Sequence, residues 1–284
     1  MRFAVVGHVE WVDFLEVSHV PIPGEIVNAT ESWAEAAGGG AVAAVQLAKL
    51  AGSVTFFTAL GDDDLGRRAE AQLRGHGVQL EAVFRSAPQR RAVTFLDAQG
   101  ERTITTIGHR LVPTAADRLP WGRLEDADGV YFTGGDAGAL QAARAAKVLV
   151  ATPRARDALN DSGLELDALV RSASDATEQD DPERLGYSAR IVVATEGSRG
   201  GIYSDREGHT GSFQAAPLPA PVADAYGAGD SFAAGLTYGL GAGLEIEAAL
   251  AIASRCGAGN MTGRGPYAGQ PTAANLDLHS RDAD

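Results

Sequence analysis

The sequence predicts an α/β protein with a mostly parallel central sheet covered by helices on both faces. Short apolar runs that end in Gly or Pro mark the strands, and helical patterns separate them. The strand runs are "RFAVVG" (2–7), "SVTFFTALG" (53–61), "DGVYFTGG" (128–135), "KVLVATP" (147–153) and "RIVVATEG" (190–197). Strands that alternate with helices form parallel sheets buried on both faces.

Two helical patterns stand out between the first strands. Residues 40–50 carry Val42, Val45, Leu47 and Leu50 among alanines, which is typical of a helix with little polar surface. The stretch "LGRRAEAQLRGHGV" (65–78) is a second helix with glycines at its end. The order strand, helix, strand, helix supports the parallel sheet.

Two segments depart from this pattern. Residues 10–33 and 89–108 alternate apolar and polar side chains with period two, and "AQG" at 98–100 is a turn signal. They are predicted to form antiparallel strands outside the main sheet, as a small β-flap over a cleft. The 284 residues contain no repeat or linker, so one domain is predicted.

Composition excludes several classes of function. Apolar residues at 45% and charged residues at 21% are typical of a globular protein, and a net charge of −13 argues against a broad nucleic-acid interface. The single Cys256 forms no internal disulfide, which fits a cytoplasmic protein. The N-terminal apolar run is too short and polar for a signal peptide, and Gln46 and Lys49 interrupt the longest weakly polar stretch, so no membrane span is predicted.

The stretch "DAYGAGDSFAAG" (224–235) places small residues between two carboxylates, directly before a helical pattern. A helix start exposes unpaired N–H groups and attracts anions, and glycine lets a ligand touch the backbone. Asp230 has two interpretations: an N-cap of a helix that begins at Ser231, or an acid that serves chemistry inside an anion site. A cap alone does not require the small residues 227–229.

Other motifs are less specific. Lys49 and Lys147 both follow Ala, which excludes a Walker loop. "GGGAVA" (38–43) satisfies a dinucleotide pattern, but the preceding "NATESWAEAA" is not predicted to be a strand of the parallel sheet, so its glycines are expected to serve either tight helix packing or close approach of a ligand. "GDDDLG" (61–66) is interpreted as helix-capping acids, and the scattered histidines predict no zinc site. "VVATEGSRGG" (192–201) is a strand and a Gly-rich turn, where parallel sheets bind ligands.

Together these motifs resemble a known family. Residues 224–235 resemble the C-terminal signature of the ribokinase-like (PfkB-type) carbohydrate kinases. Gly38-Gly39 before "AVAAVQLAKLAG" resembles the family's sugar-side glycine pair, "ATEGSRGG" its nucleotide loop and "MTGRGP" (261–266) its last loop beside the adenine. The resemblance implies a ribokinase-like three-layer α/β/α fold, with lid segments at about 10–33 and 89–108.

The resemblance also implies site residues. Asp230 is expected to be the base that takes a proton from an acceptor hydroxyl, with Gly227, Ala228 and Gly229 as the anion hole. ATP is expected at Thr195, Glu196, Gly197, Ser198, Gly200, Asp224 and Gly229; the acceptor at Glu10, Asp13, Gly38, Gly39, Arg110 and Asp230; and Mg²⁺ at Asp175 and Glu178. A carboxylate among anion-binding amides is expected to have a low pKa and to be a weak base.

The chain also departs from the family pattern. Asp175 stands where Asn is common, Ala43 replaces an asparagine, and Val12 occupies the place of the early acidic sugar ligand. The acceptor therefore stays open beyond a small sugar or sugar-like molecule. The resemblance implies an ATP- and Mg²⁺-dependent kinase that forms a homodimer, and it admits a monovalent cation such as K⁺. The alternatives are a nucleoside kinase of the same fold and a catalytically silent metabolite-binding protein.

Overall fold

The computed structural model describes residues 1–160, 162–179 and 186–278. The strands are β1 (Phe3–Val6), β2 (Glu10–Glu16), β3 (Glu31–Ala37), β4 (Val54–Gly61), β5 (Val78–Arg85), β6 (Arg91–Leu96), β7 (Arg102–Ile107), β8 (Gly129–Phe132), β9 (Leu149–Ala151), β10 (Glu165–Ser172), β11 (Ser188–Thr195), β12 (Gly201–Asp205) and β13 (Thr210–Phe213). The helices are α1 (Gly39–Ala51), α2 (Asp64–Gly75), α3 (Ala137–Ala143), α4 (Arg156–Leu159), α5 (Ala228–Gly241) and α6 (Ile246–Asn260).

The central sheet has nine strands in the order β13-β12-β11-β10-β9-β8-β1-β4-β5. All the pairings from β11 to β5 are parallel, and only β12 and β13 add antiparallel pairs. From β1 the chain builds β4 and β5 on one side and then returns to place β8 on the other. This reversal is a topological switch point, and ligands of open parallel sheets bind at the carboxyl ends of the strands beside it.

Helices cover both faces of this sheet, as the sequence predicted. Strand β1 shows the division, because Phe3 and Val5 join one core and Ala4 and Val6 join the other. Apolar residues of α1, α2, α5 and α6 fill the first core, while α3 and α4 fill the second. The architecture is therefore a three-layer α/β/α fold.

A second sheet of four strands, in the order β3-β2-β6-β7, stands apart from the central one. Its strands come from residues 10–37 and 91–107, close to the segments in which the sequence predicts extra strands. The β2–β3 and β6–β7 pairs are antiparallel, whereas β2 and β6 pair in parallel and so join the two hairpins. Within the described residues, no helix is both long enough and apolar enough to span a bilayer.

Candidate active site

The carboxyl ends of the parallel strands bring five loops to one edge of the central sheet. His8 follows β1, Thr133 follows β8, and Arg154 follows β9. The turn at 175–178 follows β10, and the Gly-rich turn at 196–200 follows β11. Helix α5 begins beside these loops, since a side chain on Gly39 would contact both Thr133 and Asp230.

The N-terminus of α5 is the candidate anion-binding element. The helix begins at Ala228, and Gly227 precedes it with a φ of 81°, a left-handed conformation that favours glycine. The first bond of the helix runs from the Ser231 N–H to the Gly227 carbonyl over 2.9 Å. The amides of residues 228–230 therefore have no partner within the helix and point out of its positive end. Asp230 lies in the first turn, so it is not the N-cap of a helix that begins at Ser231.

Asp230 faces the glycine pair at the start of α1. A Cβ atom on Gly39 would lie 2.8 Å from Asp230 Oδ1 and 3.2 Å from Thr133 Oγ1. A Cβ atom on Gly38, whose φ is 87°, would lie 3.2 Å from Glu10 Cγ. A side chain at either position would fill the space between Asp230 and Glu10, so these two glycines leave room for a small ligand. Gly40 serves tight packing, because its Cβ would lie 2.8 Å from the His8 carbonyl oxygen, and a Cβ on Gly38 would also lie 3.1 Å from the Glu10 backbone nitrogen.

The carboxyl group of Asp230 has a raised pKa. Burial in the cleft is the main cause, and the nearby carboxylates of Glu178 and Glu10 add to it. The guanidinium groups of Arg154 and Arg102 act in the opposite direction. The expectation of a low pKa is therefore wrong, since desolvation exceeds the effect of the positive charges. A raised pKa makes Asp230 a stronger base when it is ionised.

A groove of about 490 Å³ runs from the Gly-rich turn after β11 to the N-terminus of α5. It is lined by five of the residues expected to bind the nucleotide, Thr195, Gly197, Ser198, Gly200 and Gly229, together with Ala228. Much of the remaining wall is apolar and includes Phe213, Leu218, Phe232 and Met261. An apolar groove that ends at free helix amides fits an aromatic base with a phosphate chain.

The structure does not bring Glu196 and Asp224 into the lining of this groove. Glu196 contacts Arg199 at 3.3 Å. Asp224 is buried, and its carboxylate accepts hydrogen bonds from the Tyr226 N–H at 2.7 Å and the Gly265 N–H at 3.1 Å. Asp224 therefore joins the loop before α5 to the loop at 261–266 through these hydrogen bonds, and it does not face the groove.

The two carboxylates expected to serve Mg²⁺ lie together after β10, and both contact Arg154. Glu178 is buried and accepts hydrogen bonds from Arg154 Nε and from the Ser172 N–H, each at 2.7 Å. Asp175 lies 3.3 Å from Arg154 Nη2 and caps the turn through the Thr177 N–H. Oxygen ligands suit a hard cation, but both carboxylates already bond to Arg154 and to backbone N–H groups.

Of the two early acids expected to bind the acceptor, only Glu10 reaches the cleft. Its carboxylate lies 2.7 Å from Arg90 Nε and 3.8 Å from His8 Nε2. Asp13 pairs with Arg91 at 2.9 Å instead. Successive residues of a strand point to opposite faces of a sheet, so Asp13 lies on the face away from Glu10.

Sequence reasoning missed three basic residues of the cleft: His8, Arg90 and Arg154. His8 is 4% exposed, and its Nδ1 atom has no hydrogen-bond partner. Burial lowers the pKa of His8 well below its ordinary value, and the charges of Arg110, Arg90 and Arg154 lower it further. His8 and Arg154 each follow a parallel strand by two or three residues, and that position was the available signal.

Comparison with known proteins identifies a matching family and relatives of similar fold. The profile of the pfkB family carbohydrate kinase matches residues 2–273. An ATP-dependent ribose-1-phosphate kinase of Halopiger xanaduensis is 30% identical over 245 residues, which cover 81% of this chain and 82% of that protein. The ribokinase structure of Thermotoga maritima superposes with a TM-score of 0.77 at 21% identity and covers 98% of each chain. The Arabidopsis thaliana ribokinase complexed with ribose and ATP has a TM-score of 0.77 at 20% identity and covers 98% of this chain and 97% of that one.

Proposed function

This chain belongs to the pfkB family of carbohydrate kinases, and from that premise we propose that Asp230 is the general base for phosphoryl transfer from ATP to a sugar hydroxyl. The family match confirms the predicted ribokinase-like sugar kinase. The residues that perform the transfer, the metal and the assembly are our proposals.

The observation that carries the proposal is the position of Asp230 between two sites. Its carboxylate borders the gap at Gly39, where an acceptor fits, and its own amide belongs to the free first turn of α5. A hydroxyl held in that gap can donate its hydrogen bond to Asp230 while its oxygen faces a phosphate held by the α5 amides. Phosphoryl transfer depends mainly on such positioning and on charge stabilisation.

Each residue of the site then has a defined task. The amides of Ala228 and Gly229 bind the transferring phosphoryl group, and Asp230 orients the hydroxyl and accepts its proton. Glu178 and Asp175 would hold Mg²⁺ through its bound waters, beside Arg154. ATP with bound Mg²⁺ supplies the phosphoryl group and neutralises part of its charge.

The four-stranded sheet is proposed to act as a lid over the acceptor. Its β6–β7 turn already contacts the anion-hole loop, because Arg102 Nη1 donates to the Ala225 carbonyl at 2.8 Å and the Ala225 N–H donates to Gly100 over 3.4 Å. Closure would exclude water from the transfer. Hydrogen exchange should slow in residues 10–33 and 89–108 when a true acceptor is added, and unchanged exchange in both segments would contradict a lid.

The kinase assay separates the remaining alternatives. ADP formation is measured with ketoses, aldoses, sugar acids and nucleosides, each in the presence and absence of K⁺. Turnover of a sugar supports the proposal, and preferential turnover of a nucleoside would make the chain a nucleoside kinase. Binding of metabolites without ADP formation, under any of these conditions, would indicate a silent binding protein.

We further propose a homodimer that works in the cytoplasm. Strand β7 is an edge strand, and its side chains Ile104 and Ile107 are exposed. An exposed apolar edge is readily covered by a second copy. Sedimentation near the monomer mass of 29.4 kDa at micromolar concentration would refute the dimer.

The buried free thiol of Cys256 suits a reducing compartment.

A further inference from the structure

Three guanidinium groups surround the acceptor side of the cleft. Arg90 reaches it from the start of β6, Arg110 from the loop after β7, and Arg154 from the loop after β9. Arg110 Nη1 donates to the Arg154 backbone carbonyl at 3.0 Å, so these two arginines are neighbours. Arg90 contacts Glu10, whose Cγ atom faces Gly38. The cluster therefore lies next to the glycine pair that faces Asp230.

Two of these charges are balanced within the protein. Arg90 has Glu10 at 2.7 Å in a contact where both side chains are largely buried. Arg154 has Glu178 at 2.7 Å and Asp175 at 3.3 Å. Each ion pair uses a carboxylate of the cleft, and the carboxylates of Glu10 and Asp157 act on Arg110 only from beyond ion-pair distance.

The charge of Arg110 is only partly compensated within the protein. Across residues 1–160, 162–179 and 186–278, no carboxylate lies within ion-pair distance of its guanidinium, and its hydrogen bond to the Arg154 carbonyl uses one of five N–H donors. Partial burial and the charges of Arg90 and Arg154 lower the pKa of Arg110, and the carboxylates of Glu10 and Asp157 offset this only in part. Beside it, His8 is buried with Nδ1 unpartnered. A half-buried cation with free donors and a neighbouring orphan nitrogen is arranged for an anionic ligand.

We propose that the acceptor is an anionic sugar, whose phosphoester or carboxylate group is bound by Arg110 while a hydroxyl on the same molecule faces Asp230. This inference rests on the proposed function, since it names the substrate class of that site. The cluster lies beside the glycine pair on the acceptor side, whereas the nucleotide groove lies on the other side of the α5 N-terminus. The anion is therefore distinct from the phosphates of the nucleotide.

Binding of matched sugars without nucleotide tests the inference by calorimetry. The probes share a carbon skeleton: ribose, ribose 1-phosphate, ribose 5-phosphate and ribonate, with fructose and its two monophosphates as a second series. We expect at least one charged member to bind about tenfold to a hundredfold more tightly than its neutral parent, because a hydrogen-bonded charge pair contributes that much. The advantage of the charged member should decrease as salt is raised. Comparison of the sugar phosphates with ribonate distinguishes a phosphoester from a carboxylate as the bound group.

Arg110→Met should abolish this advantage and leave the affinities for ATP and for the neutral parent unchanged, while Arg110→Lys should retain part of it. Arg91→Met is the matched control, because Arg91 pairs with Asp13 on the far face of the lid sheet. Neutral sugars that bind as well as every charged counterpart would overturn the inference. An unchanged charged-sugar affinity in Arg110→Met would also overturn it.

The calorimetric binding experiment does not depend on whether Asp230 is the general base. If Asp230→Asn retains full turnover, the proposed base is wrong, and the calorimetric comparison still decides the nature of the acceptor. If charged and neutral sugars bind alike while Asp230→Asn is inactive, the kinase mechanism stands and the anionic acceptor is refuted.

Discussion

Replacing Asp230 with Asn tests the proposed mechanism most directly. The amide has the same shape and removes only the proton acceptor and its charge. Loss of a general base typically lowers the rate about 10²–10⁴-fold, which corresponds to about 3–5 kcal/mol of barrier. We therefore expect kcat to fall at least a hundredfold, while ATP affinity stays the same or increases because a negative charge beside the phosphates is gone.

Thermal stability separates this role from a structural one. The pKa of Asp230 is raised in the fold, so the native state binds its proton more tightly than the unfolded chain does. Any stabilisation from that proton is therefore lost as pH rises through the folded pKa, and near neutral pH the ionised group costs stability. The favourable interaction with the α5 dipole, about 0.3–1 kcal/mol, opposes this cost. We expect the melting temperature of Asp230→Asn to be unchanged or higher.

A matched control is Asp64→Asn, which makes the same change in the first turn of α2, where the side chain is exposed. Its kcat should remain normal. The wild-type kcat/KM should fall as pH decreases through the raised pKa of Asp230, above the ordinary 3.8 of an aspartate. Near-normal kcat in Asp230→Asn, measured on protein with normal melting behaviour, would refute the mechanism.

Three further predictions concern other parts of the site and core. Gly39→Ala places a Cβ atom 2.8 Å from Asp230 Oδ1, so kcat/KM should fall by about a hundredfold. The control is Gly75→Ala, whose Cβ would have nothing within 4 Å, and its kcat/KM should be unchanged. Glu178→Gln should raise the Mg²⁺ concentration needed for half-maximal rate and lower kcat, and a change confined to the acceptor KM would contradict its position on the phosphate side. Burial raises the pKa of the Cys256 thiol to about 12, so a thiol reagent should label it only after unfolding, and rapid native labelling would contradict the burial.

The sequence was sufficient for the parts of the fold that local patterns encode. Strands β1, β4, β8 and β9 are apolar runs with clear ends, and the structure places each where the pattern predicts. Strand β10 was missed because charged residues interrupt its apolar run. Asp167 in that strand pairs with Arg144 from the segment after α3, a partner that no local pattern reveals.

The site divides in the same way. The anion-binding turn at 227–229 is continuous in sequence, so small residues before a helix identify it. The acceptor side is assembled from His8, Arg90 and Arg154, single residues that share no motif. Strand parity could have excluded Asp13, because residues 10 and 13 of one strand lie on opposite faces.

Arg154 connects the two halves of the cleft through charge. Burial raises the pKa of Asp230, and the guanidinium of Arg154 limits that increase. In turn, although burial opposes it, the carboxylates of Asp230 and Glu178 raise the pKa of Arg154 itself. Arg154 therefore stays ionised, and its positive charge reduces the repulsion between an anionic acceptor and the phosphoryl group. When the anionic group of the proposed acceptor neutralises Arg110, the charge of Arg154 still offsets the negative charge of Asp230 and of the phosphoryl group. One arginine would be enough to bind the acceptor, and the second is needed for this negative charge.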